Sequence, residues 1–302
     1  MSLPIELIPL TLSKATPLLL AAFGGLLTEL AGLINFALEG MMLSGAFAAV
    51  FGTWLTGSPW IGLLCGMAAG ALAGVLHAIV SLKLRANMIV SSIGINLLAA
   101  GLTGLLLNQV FDVYGTSPGV APLPELGVLI PHDPASMLYS VFEDISALVP
   151  LAILAVSALF AFLNRTVYGL RLKACGENPE AALAAGISVW WTRFSAACMG
   201  GALAGMGGAF LSIGELSQFM ENMTQGRGYL AIAAVILGRW KPAGVLAAVL
   251  LFGFGEALSE WLAVRWSSAP HQVFFALPYL ACLAVLTFYT GTRQPPSALG
   301  RV

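Results

Sequence analysis

Trp60-Ile-Gly-Leu-Leu-Cys-Gly-Met-Ala-Ala-Gly-Ala-Leu-Ala-Gly-Val-Leu-His-Ala-Ile-Val-Ser-Leu82 runs for 23 residues without an Asp, Glu, Lys or Arg. At about 1.5 Å per residue, a helix of that length crosses the roughly 30 Å hydrocarbon core of a bilayer. Gly62, Gly66, Gly70 and Gly74 recur every fourth residue, so one face of that helix carries only hydrogen and another backbone can approach it closely. Outward from this run the pattern repeats. Apolar stretches cover Ala15–Phe36, Met41–Leu55, Met88–Val110, Ala147–Asn164, Trp191–Ile213, Tyr229–Gly238, Pro242–Leu262 and Val273–Thr290. Gly200, Gly201, Gly205, Gly207 and Gly208 give Trp191–Ile213 a second small-residue packing surface.

Composition agrees with that reading. The 302 residues are 59% hydrophobic and 9% charged, against about 25% charged in soluble domains. The chain is therefore integral to a membrane, and the absence of period-two alternation rules out a barrel. The expected fold is all-α, a polytopic membrane protein of about eight to ten transmembrane helices. Met41–Leu55 and Tyr229–Gly238 fall below the roughly 17 residues a crossing helix needs, so each is expected to belong to a broken helix or a re-entrant segment. Cys65, Cys175, Cys198 and Cys282 are scattered without a C-x-x-C pair, which suggests neither a disulfide framework nor a metal site. No basic region followed by a cleavage site opens the chain, so no removable signal peptide is expected. The net charge of −1 says nothing about partners, and no nucleic acid or cofactor is expected.

Lys83, Arg85, Arg165, Arg171, Lys173, Arg239 and Lys241 follow runs that end on one side. The connection 111–146 holds Asp112, Glu125, Asp133, Glu143 and Asp144 with no Lys or Arg. By the positive-inside rule this connection is extracytoplasmic, the basic segments and the C-terminus are cytoplasmic, and Lys14, Arg227 and Arg265 lie outside. Ala46-Phe-Ala-Ala-Val-Phe-Gly52 matches Ala231-Ile-Ala-Ala-Val-Ile-Leu237 at four of seven positions, and each precedes a tryptophan, Trp54 or Trp240. The second copy starts five spans after the first, an odd offset that inverts it in the membrane. Residues 15–110 and 191–290 are thus expected to be two inverted repeats within one permease-like domain, with the short segments near a transport pathway.

Polar groups inside apolar runs are costly and so mark functional candidates. Asn35 and Glu39 occupy the break before Met41–Leu55, Gln218 and Asn222 occupy the corresponding break in the second half, and Ser91, Ser92 and Asn96 lie on Met88–Val110. All seven are candidates for lining a substrate pathway; the competing role is to satisfy backbone where helices break. Glu29, Glu256 and Glu260 read as helix-packing residues, and His77 as an interfacial one. The segment 171–188 is the most charged sustained stretch in the chain. Within it Asn178 is an N-cap, Pro179 fits the first helical position, Glu180 complements the positive helix end and Gly186 is a stop. A helix of about two turns is marginal alone, so it forms against the rest of the chain or against a partner. His77, His132 and His271 are scattered, and no catalytic constellation or metal site emerges. The pattern G-x-x-x-x-G-K-[ST] is absent, so this chain does not itself cradle ATP phosphates through a P-loop.

Three motifs carry a resemblance. Asn35-Phe-Ala-Leu-Glu-Gly-Met-Met-Leu-Ser-Gly-Ala-Phe47, Gly176-Glu-Asn-Pro-Glu-Ala-Ala182 followed by Ala185-Gly-Ile187, and Gly226-Arg-Gly-Tyr-Leu-Ala-Ile-Ala-Ala-Val-Ile-Leu-Gly-Arg-Trp-Lys-Pro242 resemble the permease subunits of bacterial ABC importers for nucleosides and simple sugars. More distantly they are similar to ribose and branched-chain amino acid permeases. The resemblance implies a multi-pass protein of the bacterial inner membrane, with a fold similar to the vitamin B12 importer class. It also implies a second permease chain in a heterodimer, an extracytoplasmic substrate-binding protein, and a cytoplasmic ATPase docked through Gly176, Glu177, Asn178, Pro179, Glu180, Ala181 and Ala182. Where the family commonly has Arg-Ser after the glutamate, Leu30-Ala31 follow Glu29, so the family's neighbouring charge is missing. The expected function is nucleoside import by alternating access. Sugar or branched-chain amino acid import and ion-coupled secondary transport are the alternatives, since Asn35, Glu39 and Asn96 suit a nucleoside, a sugar or an amino acid equally.

Overall fold

The computed structural model describes residues 3–128, 145–265 and 295–301, with isolated positions at 276, 280, 283 and 287. The expected span Val273–Thr290 lies almost wholly outside the described residues, as do His132, Asp133, Glu143, Asp144, His271, Cys282 and Arg293. Among the described residues ten α-helices follow one another: α1 Leu3–Leu30, α2 Leu38–Thr56, α3 Pro59–Ala78, α4 Met88–Phe111, α5 Leu148–Arg165, α6 Val167–Glu177, α7 Pro179–Ala184, α8 Val189–Ala209, α9 Arg227–Leu237 and α10 Pro242–Arg265. α3 continues as a π-helical turn, Ile79–Lys83, and α8 as another, Phe210–Leu216. Among the described residues no strand forms, only the bridges Thr116–Met220 and Glu125–Ser146. Seven helices among the described residues are long and apolar enough to cross a membrane, and α9 is a shorter apolar helix.

Helix ends follow local chemistry. Asn87 accepts from the amides of Ile89 and Val90 to start α4, Thr166 accepts from Gly169 to start α6, and Gly57 closes α2 at φ +70°. Two boundaries differ from the sequence expectation. α1 ends at Leu30 rather than Phe36, because Gly32 turns left-handed at φ +89° and the Leu33 amide folds back onto the Thr28 carbonyl. α2 begins at Leu38, so the expected short, broken span Met41–Leu55 is a full helix of 19 residues. The apolar count began after Glu39 and Gly40; in the fold both are in the first turn, their polar groups taken up by neighbouring helices.

α1 and α8 form the centre. Leu18, Leu20, Phe23, Leu26 and Leu27 of α1 are fully buried, as are Ala196, Ala197 and Ala204 of α8. The outer helices show the opposite pattern: Leu64 and Leu72 of α3 and Val90, Leu97 and Leu105 of α4 are exposed, as suits helices surrounded by hydrocarbon. The glycine faces meet as the spacing predicts. Gly66 and Gly70 of α3 abut Gly205, Gly70 and Gly74 abut Gly201, and Gly45 of α2 abuts Gly205 from the other side. A Cβ on Gly70 would collide with the Gly201 carbonyl, and one on Gly205 with the Gly66 carbonyl, so the three backbones pack at a distance no larger residue permits.

Gly94 and Gly101 of α4 have no atom within 4 Å of an added Cβ. Gly70→Leu or Gly205→Leu is expected to cost at least about 1–3 kcal/mol of overpacking strain and to lower the thermal unfolding midpoint in detergent. Gly94→Ala and Gly101→Ala are expected to leave that midpoint unchanged.

Candidate functional site

The gap between α1 and α2, residues 31–37, is irregular backbone at the heart of the bundle, and its amides and carbonyls need partners where water is scarce. α4 supplies them. The Phe36 amide donates to Ser92 Oγ at 3.1 Å, Asn96 Nδ2 donates to the Phe36 carbonyl at 2.9 Å, and the Gly40 amide donates to Asn96 Oδ1 at 2.8 Å. A Cβ on Gly40 would stand 2.9 Å from that same oxygen, so the close approach needs glycine. Asn35, fully buried, accepts from the Ala37 amide at 3.1 Å and turns the chain into α2.

α3 completes this side. His77 Nε2 lies 2.9 Å from the Ile34 carbonyl and Nδ1 lies 3.1 Å from Ser91 Oγ. A carbonyl can only accept, so Nε2 carries the proton that it donates to Ile34. His77 is fully buried within the protein. It lies three residues beyond Gly74 and continues the packed glycine face into the bundle.

From the second half, α9 presents its N-terminus to the first turn of α2. Glu39 Oε1 accepts from Thr224 Oγ1 at 2.6 Å and from the Gly226 amide at 2.8 Å, while Oε2 accepts from the Gly228 amide at 2.7 Å. The carboxylate thus occupies the positive end of α9 and satisfies amides the helix leaves free. Gly228 packs against the Glu39 backbone, where a Cβ would collide. Tyr229, 47% exposed, accepts from Asn96 Nδ2 at 3.0 Å. One amide side chain therefore holds the break, the start of α2 and the first turn of α9.

Of the seven pathway candidates, Asn35, Glu39, Ser91, Ser92 and Asn96 converge on this junction. Gln218 and Asn222 do not join it. They lie on the loop 217–226, where Asn222 is left-handed at φ +54° and its carbonyl accepts from the Gln225 amide, and the Gln218 amide donates to the Ser212 carbonyl. That loop is laced to the segment after α4: Ser117 donates its amide to Phe219, Val120 to Ser217, and Glu221 both donates to the Gly115 carbonyl and accepts from its amide. Thr224 and Tyr229 are the junction residues that sequence reading passed over. Threonine carries no burden in an apolar run and tyrosine is common near interfaces, so only the Gly226-Arg-Gly-Tyr229 context could have flagged them.

Two further clusters flank the junction. Trp240 Nε1 donates to Glu29 Oε2, so the indole that follows α9 meets the buried carboxylate on α1. At the opposite end of the helices, Lys14 Nζ lies 3.0 Å from Glu260 and 3.6 Å from Glu215, and Arg227 Nη2 lies 3.4 Å from Glu256. These pairs tie α1, α9, α10 and the turn after α8 together. Among the described residues no three His, Cys, Asp or Glu side chains converge to hold a metal ion.

The short helix α7 forms with the expected caps. Asn178 Oδ1 accepts from the Ala181 amide at 3.0 Å, Pro179 is the first helical residue, and Gly186 is left-handed at φ +78°. α7 seats Ala182 against Cys175 and Val189; burial pushes the Cys175 thiol above its usual range. Pro179 is half-buried and the rest of α7 faces outward, with Glu180 and Ala181 exposed and Leu183 59% exposed. Gly176, just before it, packs directly on the Leu30 carbonyl at the end of α1.

Known proteins place this geometry. The guanosine ABC transporter permease protein NupQ of Bacillus subtilis is 33% identical, over 97% of this chain and 95% of its own. The nucleoside ABC transporter permease protein NupC of Lactococcus lactis is 32% identical, over 95% of this chain and 92% of its own. A Haloferax volcanii protein provisionally named a glucose ABC transporter permease is 34% identical, over 95% and 92% respectively. In structure, the chain is similar to a metal-chelate type ABC transporter solved in an inward-facing conformation, at a TM-score of 0.51 and 17% identity over 93% of this chain and 85% of that one, a likeness of fold. Residues 7–286 match the family of permease components of branched-chain amino acid transport systems, and with these relatives the chain belongs to that family of ABC transporter permeases.

Proposed function

We propose that this chain is the membrane half of an ABC importer for nucleosides, carrying them through a path bordered by the α1–α2 break, α4 and the start of α9. The observation that carries the reading is the junction at Asn96. It joins the break in the first half to the short helix in the second, the two segments that the inverted-repeat pattern pairs. Two relatives named for guanosine and nucleoside transport support the substrate class over the one named for glucose. Side-chain chemistry agrees: the Tyr229 ring is half-exposed beside an amide, giving an aromatic face and neutral hydrogen-bonding groups that suit an uncharged base and sugar. Glu39 acts here as the cap of α9, because both its oxygens are engaged by Thr224 and the α9 amides. Gln218 and Asn222 belong to the outer loop on this reading.

In this arrangement the end bearing Lys83, Arg171, Lys173 and Arg239 faces the cytoplasm, as does the C-terminal segment. α7 is the coupling helix. It is held by its own caps and by Ala182, and it offers Glu180, Ala181 and Leu183 to a cytoplasmic ATPase, which supplies the P-loop this chain lacks. A second permease chain and an extracytoplasmic binding protein complete the assembly, which works by alternating access.

The test is reconstitution in proteoliposomes with the ATPase, the second permease and the binding protein. ATP-dependent uptake of labelled guanosine, uncompeted by glucose or leucine, is the expected result. Uptake of glucose or leucine alone would overturn the substrate class, and uptake driven by an ion gradient without ATP would overturn the transporter class. Combined Asn178→Ala, Pro179→Ala and Glu180→Lys is expected to abolish ATP-driven uptake while the chain still elutes as a folded species.

Tyr229→Leu removes the ring and is expected to raise the apparent KM for guanosine about tenfold, the effect of losing roughly 1–3 kcal/mol of stacking; Tyr229→Phe is expected to keep most of the affinity. Glu39→Ala leaves the α9 amides unpartnered, and its expected effect is a loss of about 2–3 kcal/mol in thermal stability, preceding any effect on KM.

A further inference from the structure

Residues 295–301 lie across the ends of α1, α6 and α8. Ser297 donates through its hydroxyl and amide to Glu177 Oε2 at 3.0 and 3.3 Å. The Ala298 amide donates to the Gly176 carbonyl at 2.9 Å, and the Gly300 amide donates to the Gly32 carbonyl at 3.0 Å. Ala298 is 2% exposed. Gly300, left-handed at φ +79°, abuts the Ile34 side chain, where an added Cβ would stand 2.7 Å from Cδ1. The segment therefore grips the two residues before Asn178 with one end and the α1–α2 break with the other.

Arg193 clamps the far end. It is 3% exposed; its Nε donates to the Ala31 carbonyl at 3.0 Å and its Nη1 to the Arg301 carbonyl at 2.6 Å. Among the described residues its Nη2 has no hydrogen-bond partner, and it faces Gly32, where a Cβ would stand 2.8 Å away. The described bonds of this buried guanidinium go to carbonyl oxygens just past the C-terminus of α1 and in the C-terminal segment. That position lets the negative end of the α1 dipole offset part of the cost of burying the charge.

We propose that Pro296–Arg301 is a strap carrying motion of the coupling loop to the α1–α2 break, with Arg193 as its positioning residue. The bonded chain runs from Glu177 and Gly176 through Ser297, Ala298 and Gly300 to Gly32. Two residues farther along the break is Ile34, whose carbonyl is held by His77 and through it by Ser91. α6 also packs directly on the end of α1, where a Cβ on Gly176 would meet the Leu30 carbonyl and the Gly32 amide nitrogen, but these are packing contacts without a hydrogen bond. The strap adds hydrogen bonds to Gly176 and Glu177 at one end and to Gly32 at the other, so a shift of α7 pulls on residues 32–34. This inference rests on the reading of α7 as the coupling helix.

The complete transporter in proteoliposomes provides the test, with ATP hydrolysed and guanosine accumulated measured together. The variants are a chain ending at Gln294, Ala298→Pro, which removes the amide bonded to Gly176, and the pair Arg193→Gln and Arg193→Lys. The strap predicts that the truncated chain and Ala298→Pro still co-purify with the ATPase and hydrolyse ATP, while uptake per ATP falls about five- to tenfold. Arg193→Lys, which keeps charge and one donor, should recover part of what Arg193→Gln loses.

Wild-type uptake per ATP in Ala298→Pro would overturn the proposal, and so would loss of ATPase co-purification, since the segment would then belong to the docking surface itself. If the truncated chain elutes as aggregate, Ala298→Pro decides. The underlying coupling reading fails separately, by intact ATP-driven uptake in the α7 triple variant.

Discussion

Backbone that leaves helical geometry inside a membrane must find hydrogen bonds within the protein, and one such break dominates this structure. α1 stops at Leu30 and α2 does not begin until Leu38, leaving seven residues whose amides and carbonyls face a largely apolar interior. Leaving each of these groups unsatisfied in hydrocarbon costs several kcal/mol. The chain meets this demand by bringing α3, α4 and α8 to the break, each with a specific donor or acceptor: His77, Ser92 and Asn96, and Arg193, while Tyr229 of α9 braces Asn96. The polar side chains that look misplaced in an apolar sequence are the ones the break requires.

The break is also held differently from the bundle around it. The contacts of α8 with α2 and α3 run through Gly45, Gly66, Gly70, Gly201 and Gly205 at backbone distance, a packing with little room for adjustment. Around the break, short polar contacts replace extensive apolar ones, and such contacts can be exchanged for others at modest net cost. Alternating access in this fold is therefore suited to a tight helical core moving against a polar seam. Glu39 and Asn96 sit on that seam, joining the helix after the break to α9.

The cytoplasm-facing cluster proposed here shows the same economy. α7 is six residues long and keeps its shape because Asn178, Pro179 and Gly186 fix both ends, while Ala182 alone anchors it in a small apolar cluster. Its outer surface is thereby left for a partner. Nearby, Gly176 and Glu177 connect to α1 and to the C-terminal segment, so the element offered outward is also tied inward.

Much of this was legible in the amino-acid order. Long uncharged runs can only be buried in lipid or in one another, which set the all-α membrane class; glycines at every fourth residue marked the faces that meet; and the caps of α7 were local signals that needed no tertiary context. Five of seven polar candidates converge at the junction, because a polar group in an apolar run has few other reasons to be there. The sequence could not show that α2 is a full helix, since Glu39 and Gly40 read as a polar break until Thr224, α9 and Asn96 are seen to absorb their hydrogen bonds. Nor could it place His77 inside, exclude Gln218 and Asn222 from the junction, or pair Lys14 with Glu260 and Arg193 with residues 31 and 301. Those outcomes depend on contacts between groups up to about two hundred and fifty residues apart, as with Lys14 and Glu260. Local composition fixes which groups need partners in a membrane, and only the packed chain decides which partner each one gets.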